Sequence, residues 1–272
     1  MYYKTIGEFL EKTRITYNIT LSKLCEGICS ISTYARYEKD CFLPDKFTLD
    51  ALLERLGKNP NTISYLLTNT DARCRELRVA IDDANIEEKR NLIEEYKDIR
   101  FKRTDKLHWQ YMMMVKGDIE QEKGNIDRAC ECYKEAFCKT KAEKYIGSFH
   151  NDTLYSLIEF GLLLHIFSIQ EKREEIEKME SFLSGLWDGH IVKKKFYAKV
   201  ICELLSMPNA DSIDAVLYIN KGLEYQRRIK QFVGMEDLLR RKKALSVLSQ
   251  EEEALLGIED DLSEIERALA NE

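Results

Sequence analysis

Between Thr20 and Glu38 the sequence TLSKLCEGICSISTYARYE gathers the hydroxyls of Thr20, Ser30, Ser32 and Thr33 and the guanidinium of Arg36, with Ile31 among them. None of these is an acid, a base or an activated nucleophile. Their chemistry is recognition: hydroxyls and a guanidinium hydrogen-bond to phosphates and base edges, and an aliphatic side chain packs on a thymine methyl. The groups that do other chemistry are dispersed. His108, His150, His165 and His190 lie far apart in sequence, and there is no HExxH, paired CxxC, EF-hand loop, GxGxxG or GK[ST]. An enzyme, a resident metal and a cofactor are therefore not expected. Acidic pairs such as Glu87-Glu88 and Glu174-Glu175 read as solvated helix faces. Cys130, Cys132 and Cys138 read as core or surface thiols, since redox sensing would need a lowered thiol pKa.

Recognition groups need an element to present them. Thr20 can cap a short helix whose buried face is Leu21, Leu24 and Cys25; Gly27 stands in the corner, where a Cβ is costly. Ser30 then caps a second helix through Glu38, with Tyr34 and Tyr37 three apart on its inward face. This leaves Ile31, Ser32, Thr33 and Arg36 pointing outward, the pattern of a helix-turn-helix. Before it, Ile6, Phe9, Leu10 and Ile15 predict a first helix ending at Asn18. After it come a loop at Pro44, a helix with Leu49, Leu52, Leu53 and Leu56 stopped by Gly57 and Pro60, and a short helix capped by Asn61 or Thr62 with Ile63, Leu66 and Leu67.

Composition sets the class. The 272 residues, 44% hydrophobic and 33% charged with only 12 Gly and 3 Pro, predict an all-α chain with an ample core. No secretory signal is read at MYYKTIGEFLEK, and the most apolar run, Leu157 to Ile169, contains Glu159 and His165 and falls short of the ~20 residues a membrane span needs. Eight scattered cysteines (25, 29, 41, 74, 130, 132, 138, 202) read as reduced, core-lining thiols in a cytoplasm. The net charge of −6 divides unevenly: residues 1–67 carry nine Lys/Arg against eight Asp/Glu. That balance permits phosphate contact without arguing for it.

Residues 6–67 resemble the Cro/repressor (Xre-type) helix-turn-helix domains. The shortened turn Ile28-Cys29-Ser30 followed by Ser32, Arg36 and Glu38 is similar to the Rgg/PlcR/PrgX group of cytoplasmic peptide-pheromone receptors of Gram-positive bacteria, in which this domain precedes tetratricopeptide-like repeats. The resemblance implies a five-helix N-terminal domain and a dimer on a two-fold DNA operator, with Ser32, Thr33 and Arg36 at or near the DNA. Leu21 stands where the group commonly has a glutamine that contacts phosphate, Ile31 where a polar base reader is usual, and Asp40 where a glycine usually follows the second helix.

From Thr68 the pattern changes to helical pairs. In VKGDIEQEKGNIDRACECYKEAF, setting Gly117 at position 8 of a 34-residue tetratricopeptide unit puts Ala129, Tyr133 and Ala136 at positions 20, 24 and 27. Second helices of successive pairs are expected near Ile86, Ile126, Lys172, Ile213 and Ile258, with Ala215, Ile219 and Gly222 echoing the second-helix pattern; Leu262, Ile265 and Leu269 predict a final amphipathic helix. The expected organisation is a helix-turn-helix domain over 1–67, a linker over 68–70, and a right-handed α-solenoid of about five tetratricopeptide-like pairs over 71–272. The run Met112-Met113-Met114 offers either gap-filling in a core or an adaptable apolar floor for a bound peptide. Concave-facing register makes Tyr111, Met114, Asp118 and Gln121, and in later pairs Tyr155, Glu159 and Tyr197, the candidate peptide contacts.

Together these features lead to a cytoplasmic DNA-binding transcriptional regulator whose repeats dimerise and bind a short linear peptide. Two other readings stay open: a protein-interaction scaffold whose helix-turn-helix no longer binds DNA, and a mobile-element repressor with a purely structural solenoid.

Overall fold

A computed structural model describes residues 4–64, 67–99, 105–207, 212–231 and 234–245. Among them there are helices and no strands: α1 (Ile6–Thr16), α2 (Leu21–Cys25), α3 (Ile31–Glu38), α4 (Lys46–Arg55), a 3-10 turn (Pro60–Thr62), α5 (Asn69–Asp83), α6 (Ile86–Asp98), α7 (Lys106–Glu122), α8 (Ile126–Cys138), α9 (Lys144–Gly147), α10 (Leu157–Ile169), α11 (Arg173–Gly185), α12 (Ile191–Ser206), α13 (Ser212–Ile229) and α14 (Met235–Ala244). Polar caps set many of the starts. Thr5, Thr20, Ser30 and Asp45 each accept a hydrogen bond from a first-turn backbone N–H. Thr68, Asn85 and Ser156 form reciprocal capping boxes with Asp71, Glu88 and Glu159. The apolar run is α10, wrapped by protein along most of its length; no helix among the described residues is long and apolar enough to cross a membrane.

The chain groups into two compact units. One holds residues 1–175 with 190–192, the other residues 176–189 with 193–272. The unit with the N-terminal bundle thus also contains α5 to α10.

In that bundle Leu10, Leu24, Cys25, Tyr34, Tyr37, Leu49, Leu52, Leu53 and Leu56 form one buried cluster. Arg14 ties α1 to α3 with a two-point ion pair to Glu38 (2.6 and 2.9 Å) and donates to Ile19 O (3.0 Å). Asp40, the departure from the usual glycine, keeps the left-handed conformation that position needs (φ 53°). It adds what glycine lacks, a carboxylate that accepts from Thr5 Oγ1 (2.6 Å) and Gly7 N (3.0 Å) and so caps α1. Leu21 packs against the core cluster. The expected fifth helix is different: Asn59, not Asn61 or Thr62, caps a single 3-10 turn, Ile63 is extended, and Leu66 lies outside the described residues. Proline at the start of the turn fixes its entry without needing a backbone donor.

The repeat pattern is realised as packing. A Cβ on Gly117 would meet the Tyr133 ring at 2.4 Å, so α7 and α8 approach as closely as a small residue opposite an aromatic permits. Second helices begin at Ile86, Ile126, Arg173 and Ser212, against expected starts near Ile86, Ile126, Lys172 and Ile213. Ile258, Leu262, Ile265 and Leu269 lie outside the described residues. In the second unit a Cβ on Gly222 would meet Leu238 (2.7 Å) and Ile201 (2.9 Å), bringing α13 against both α12 and α14. The cysteines are free; Cys41, which follows a left-handed turn, is exposed, a correction to the expectation that it lines the core, and Cys138 is a surface thiol at the end of α8.

Candidate nucleic-acid interface and its connection to the repeats

The outward face of α3 starts from its cap. Ser30 Oγ accepts from Thr33 N (3.1 Å) and lies 2.8 Å from Thr33 Oγ1 and 3.0 Å from Ser32 Oγ, so three hydroxyls form one cluster at the helix start. Thr20 Oγ1 does the same for α2, accepting from Lys23 N (3.3 Å). Tyr34 and Tyr37 are buried, which turns Ile31, Ser32 and Arg36 to solvent; Thr33 is half-buried. Ile31 is 51% exposed. The Arg36 guanidinium carbon lies 4.5 Å above the ring of Phe42, a residue absent from the expected site.

Behind that face sits the corner. Gly27 has φ 71°, and a Cβ there would fall 1.7 Å from the backbone oxygen of Thr140, just after α8. Arg55, at the end of α4, donates through Nη1 to Leu24 O (2.8 Å) and Glu26 O (2.7 Å), satisfying carbonyls at the end of α2 that the helix cannot. The same guanidinium meets Glu159 of α10: Nε lies 3.1 Å from Oε2, and Nη2 contacts Oε1. Glu159 also accepts from Thr140 Oγ1 (2.7 Å) and Ser156 N (2.8 Å), and Thr140 Oγ1 accepts from Gln110 Nε2 of α7 (2.7 Å). Lys141 adds an ion pair to Glu26 (2.7 Å), and Glu54 accepts from Leu157 N at the start of α10 (2.9 Å). The corner of the helix-turn-helix is thus bonded to α7, α10 and the segment after α8.

Electrostatics follow from the burial. Desolvation alone would raise the Glu159 pKa, but Arg55 and Lys141 outweigh it and hold the carboxyl at about 2. At Glu54 the cation that opposes burial, Lys46, is outweighed. The Glu54 carboxyl is ringed by protein atoms although part of the residue surface stays accessible, and burial, reinforced by Asp50 and Glu159, pushes it up to about 8. Lys141 is lowered by burial, opposed by Glu159.

Glu159 is therefore not a groove contact, a correction to the sequence expectation. Its carboxylate is consumed by Arg55, Thr140 and a helix cap. Three expected tyrosines are also packed inside. Tyr111 OH reaches Arg78 O and Asp82 Oδ1 (3.3 Å each), Tyr155 OH donates to His150 O (3.1 Å), and Tyr197 OH to Glu180 Oε1 (3.0 Å). Met114 and Asp118 are half-buried and Gln121 exposed. Asp118 and Gln121 each lie 2.8 Å from Tyr133 OH, and the ring of Tyr133 stacks on His165 of α10 at 5.0 Å. Burial raises the Asp118 pKa, with the Tyr133 bond opposing.

The histidines pack rather than converge. Burial lowers His108 to about 4 while its Nδ1 lies 2.6 Å from Tyr96 OH; the His150 ring sits on Tyr145 (4.9 Å), and His190 lies where a Cβ of Gly57 would meet it at 2.4 Å. Sequence reading missed Arg55, Thr140 and Phe42. Arg55 gave little signal, since it flanks the stripe of Leu49, Leu52, Leu53 and Leu56 in a helix that also carries Lys46, Asp50 and Glu54.

No protein-family model matches the chain, and no curated protein matches it. Among solved structures it is similar to PlcR of Bacillus thuringiensis in complex with the peptide PapR7 and DNA, at 14% identity and a TM-score of 0.50, over 99% of this chain and 100% of that one. At that identity the likeness establishes a shared all-helical fold, a helix-turn-helix bundle followed by tetratricopeptide-like helical repeats.

Proposed function

We propose that this chain is a cytoplasmic transcriptional regulator in which residues 1–67 read a two-fold DNA operator and residues 71–272 form a repeat sensor that binds a short linear peptide and holds two copies together. The observation that carries the reading is the bonding of the helix-turn-helix corner to the repeats through Arg55, Glu159, Thr140 and Gln110. A bundle that served only to dimerise has no use for a reader corner tied to a sensor. The architecture common to this chain and a peptide- and DNA-bound protein supports it further.

Helix α7 links the two ends of the proposed signal. Gln110 holds the corner network, while Met114, Asp118 and Gln121, spaced along the following turns of the same helix, remain for the peptide. A peptide regulates only if it binds one arrangement better than another, and moving a population from 1:99 to 99:1 takes about 5.5 kcal/mol of such preference. In a dimer, a shift at the corner changes the separation of the two α3 helices, which must be about 34 Å or a multiple to enter successive major grooves.

A protein-interaction scaffold is favoured instead by the near-neutral bundle and by Ile31, Phe42 and Leu43, exposed to 51%, 37% and 54%. Anisotropy titration of the purified chain against its own upstream DNA separates the two. A regulator binds that DNA more tightly than random sequence and loses affinity steeply with salt; equal binding to both sequences, or none, leaves the scaffold.

A further inference from the structure

Arg36 is not a freely swinging cation. It projects from the last turn of α3, and Phe42, in the loop beyond, lies beneath its guanidinium at 4.5 Å. That loop is fixed from several sides. Cys41 N donates to Arg36 O (3.0 Å) and Asp40 N to Tyr37 O (3.0 Å). The Asp40 carboxylate is tied to Thr5 and Gly7. The Phe42 ring meets the buried Tyr37 edge-on at 5.0 Å, and Tyr37 meets Tyr34 at 6.5 Å. An aromatic chain thus runs from the bundle core to a half-exposed ring on the surface that bears Ser32 and Arg36.

We propose that Phe42 is a positioning residue for Arg36, holding its guanidinium edge-outward so that it reads one guanine rather than a phosphate. The inference rests on the DNA-reading function proposed above and names its specificity determinant. An aromatic face attracts a guanidinium plane and leaves the N–H edge free, and two N–H groups on that edge match the O6 and N7 acceptors of guanine. An arginine directed at phosphate needs no such platform, because a phosphate accepts from many directions. Fixing the side chain before binding also removes part of the rotamer entropy lost on contact. Ile31, exposed at the other end of the same helix, has the methyl groups to meet a thymine methyl, so the expected half-site pairs a guanine at Arg36 with a thymine at Ile31.

The test is selection of bound duplexes from a random pool by the full chain and by Arg36→Ala, Phe42→Ala, Phe42→Leu and Phe42→Tyr. Wild type is expected to select a site with one guanine whose preference vanishes in Arg36→Ala. Phe42→Ala and Phe42→Leu, which removes the aromatic face but keeps packing on Tyr37, should lower preference at that position about tenfold and leave other positions and the salt slope unchanged. Phe42→Tyr should restore it. Undiminished guanine preference in both Phe42→Ala and Phe42→Leu overturns the inference. So does an Arg36→Ala chain that binds all sequences equally more weakly with a shallower salt slope, because Arg36 then contacts phosphate. A wild-type chain that selects no sequence overturns the DNA-reading function itself and this inference with it, an outcome distinct from the other two.

Discussion

Arg55 and Glu159 are 104 residues apart in sequence, yet their side chains are 0% and 1% exposed and meet at two points. Each carries a second duty, Arg55 on the α2 carbonyls and Glu159 in the capping box of α10. Removing either leaves a buried charge and an unsatisfied helix end. Glu159→Gln and Arg55→Met are each expected to cost about 3–5 kcal/mol in urea unfolding. The double variant Arg55→Met/Glu159→Leu should lose clearly less than the sum of the two singles, because the uncompensated charge is gone. Strict additivity would show that the pair is not coupled.

Glu54 gives the protein a pH dependence of defined sign. Burial raises its folded-state pKa from 4.5 to about 8, so the folded chain holds that proton more tightly than the unfolded one. The stability this supplies is complete below about 4.5 and drains away as pH rises through about 8. Glu54→Gln keeps an acceptor for Leu157 N but does not titrate. Melting temperatures measured between about pH 5 and pH 9 should fall with pH for wild type relative to the variant. Parallel curves would mean that the carboxyl does not keep its proton in the fold.

Gly27 and Gly124 form a matched pair. Both have positive φ, 71° and 82°, so alanine pays the same backbone penalty of about 1 kcal/mol at each. Only Gly27 has a neighbour in the way, Thr140 O at 1.7 Å from the added Cβ, whereas Gly124 has nothing within 4 Å. Gly27→Ala should therefore be less stable than Gly124→Ala by roughly a further 1–3 kcal/mol in the same urea assay. Equal losses would show that the corner has room to move off the repeats.

Asp40 separates conformation from capping. Asp40→Gly keeps the left-handed turn but removes both hydrogen bonds at the start of α1, and is expected to cost about 0.5–2 kcal/mol. Amide exchange at Gly7 should speed up in this variant and remain slow in Asp40→Asn, which retains an acceptor. Unchanged exchange at Gly7 in Asp40→Gly would rule out the cap.

Which features were legible in the sequence follows from how local their causes are. Thr20, Ser30, Gly27 and the inward pair Tyr34 and Tyr37 act within a turn or two, and all stand where spacing put them. Gly117 against Tyr133 was visible because a repeat fixes which positions touch. The fate of Glu159 was not. Register alone assigned it to a concave surface, and only a partner more than a hundred residues away shows that it is spent inside. A signal was present for Glu159, the only carboxylate in the run Leu157 to Ile169, whereas Arg55 merely flanks the leucine stripe of α4. A lone carboxylate in so apolar a helix calls for a buried cation, and Arg55, beside the leucines of α4, is a candidate. The burial of Tyr111, Tyr155 and Tyr197 was hidden for another reason. A repeat register places a Cβ, but burial of a large ring depends on the neighbouring helix.

The fit of Gly27 to Thr140 bears on how such a protein can be recombined. A cut after residue 67 looks natural in the sequence, but it would release a bundle whose corner is moulded to a carbonyl left behind and whose Arg55 has lost its counter-charge. The N-terminal bundle is not a portable cassette. A chimera that joins this bundle to a foreign sensor has to carry the stretch from Gln110 to Glu159 along with it, so the seam for swapping parts falls inside the repeats.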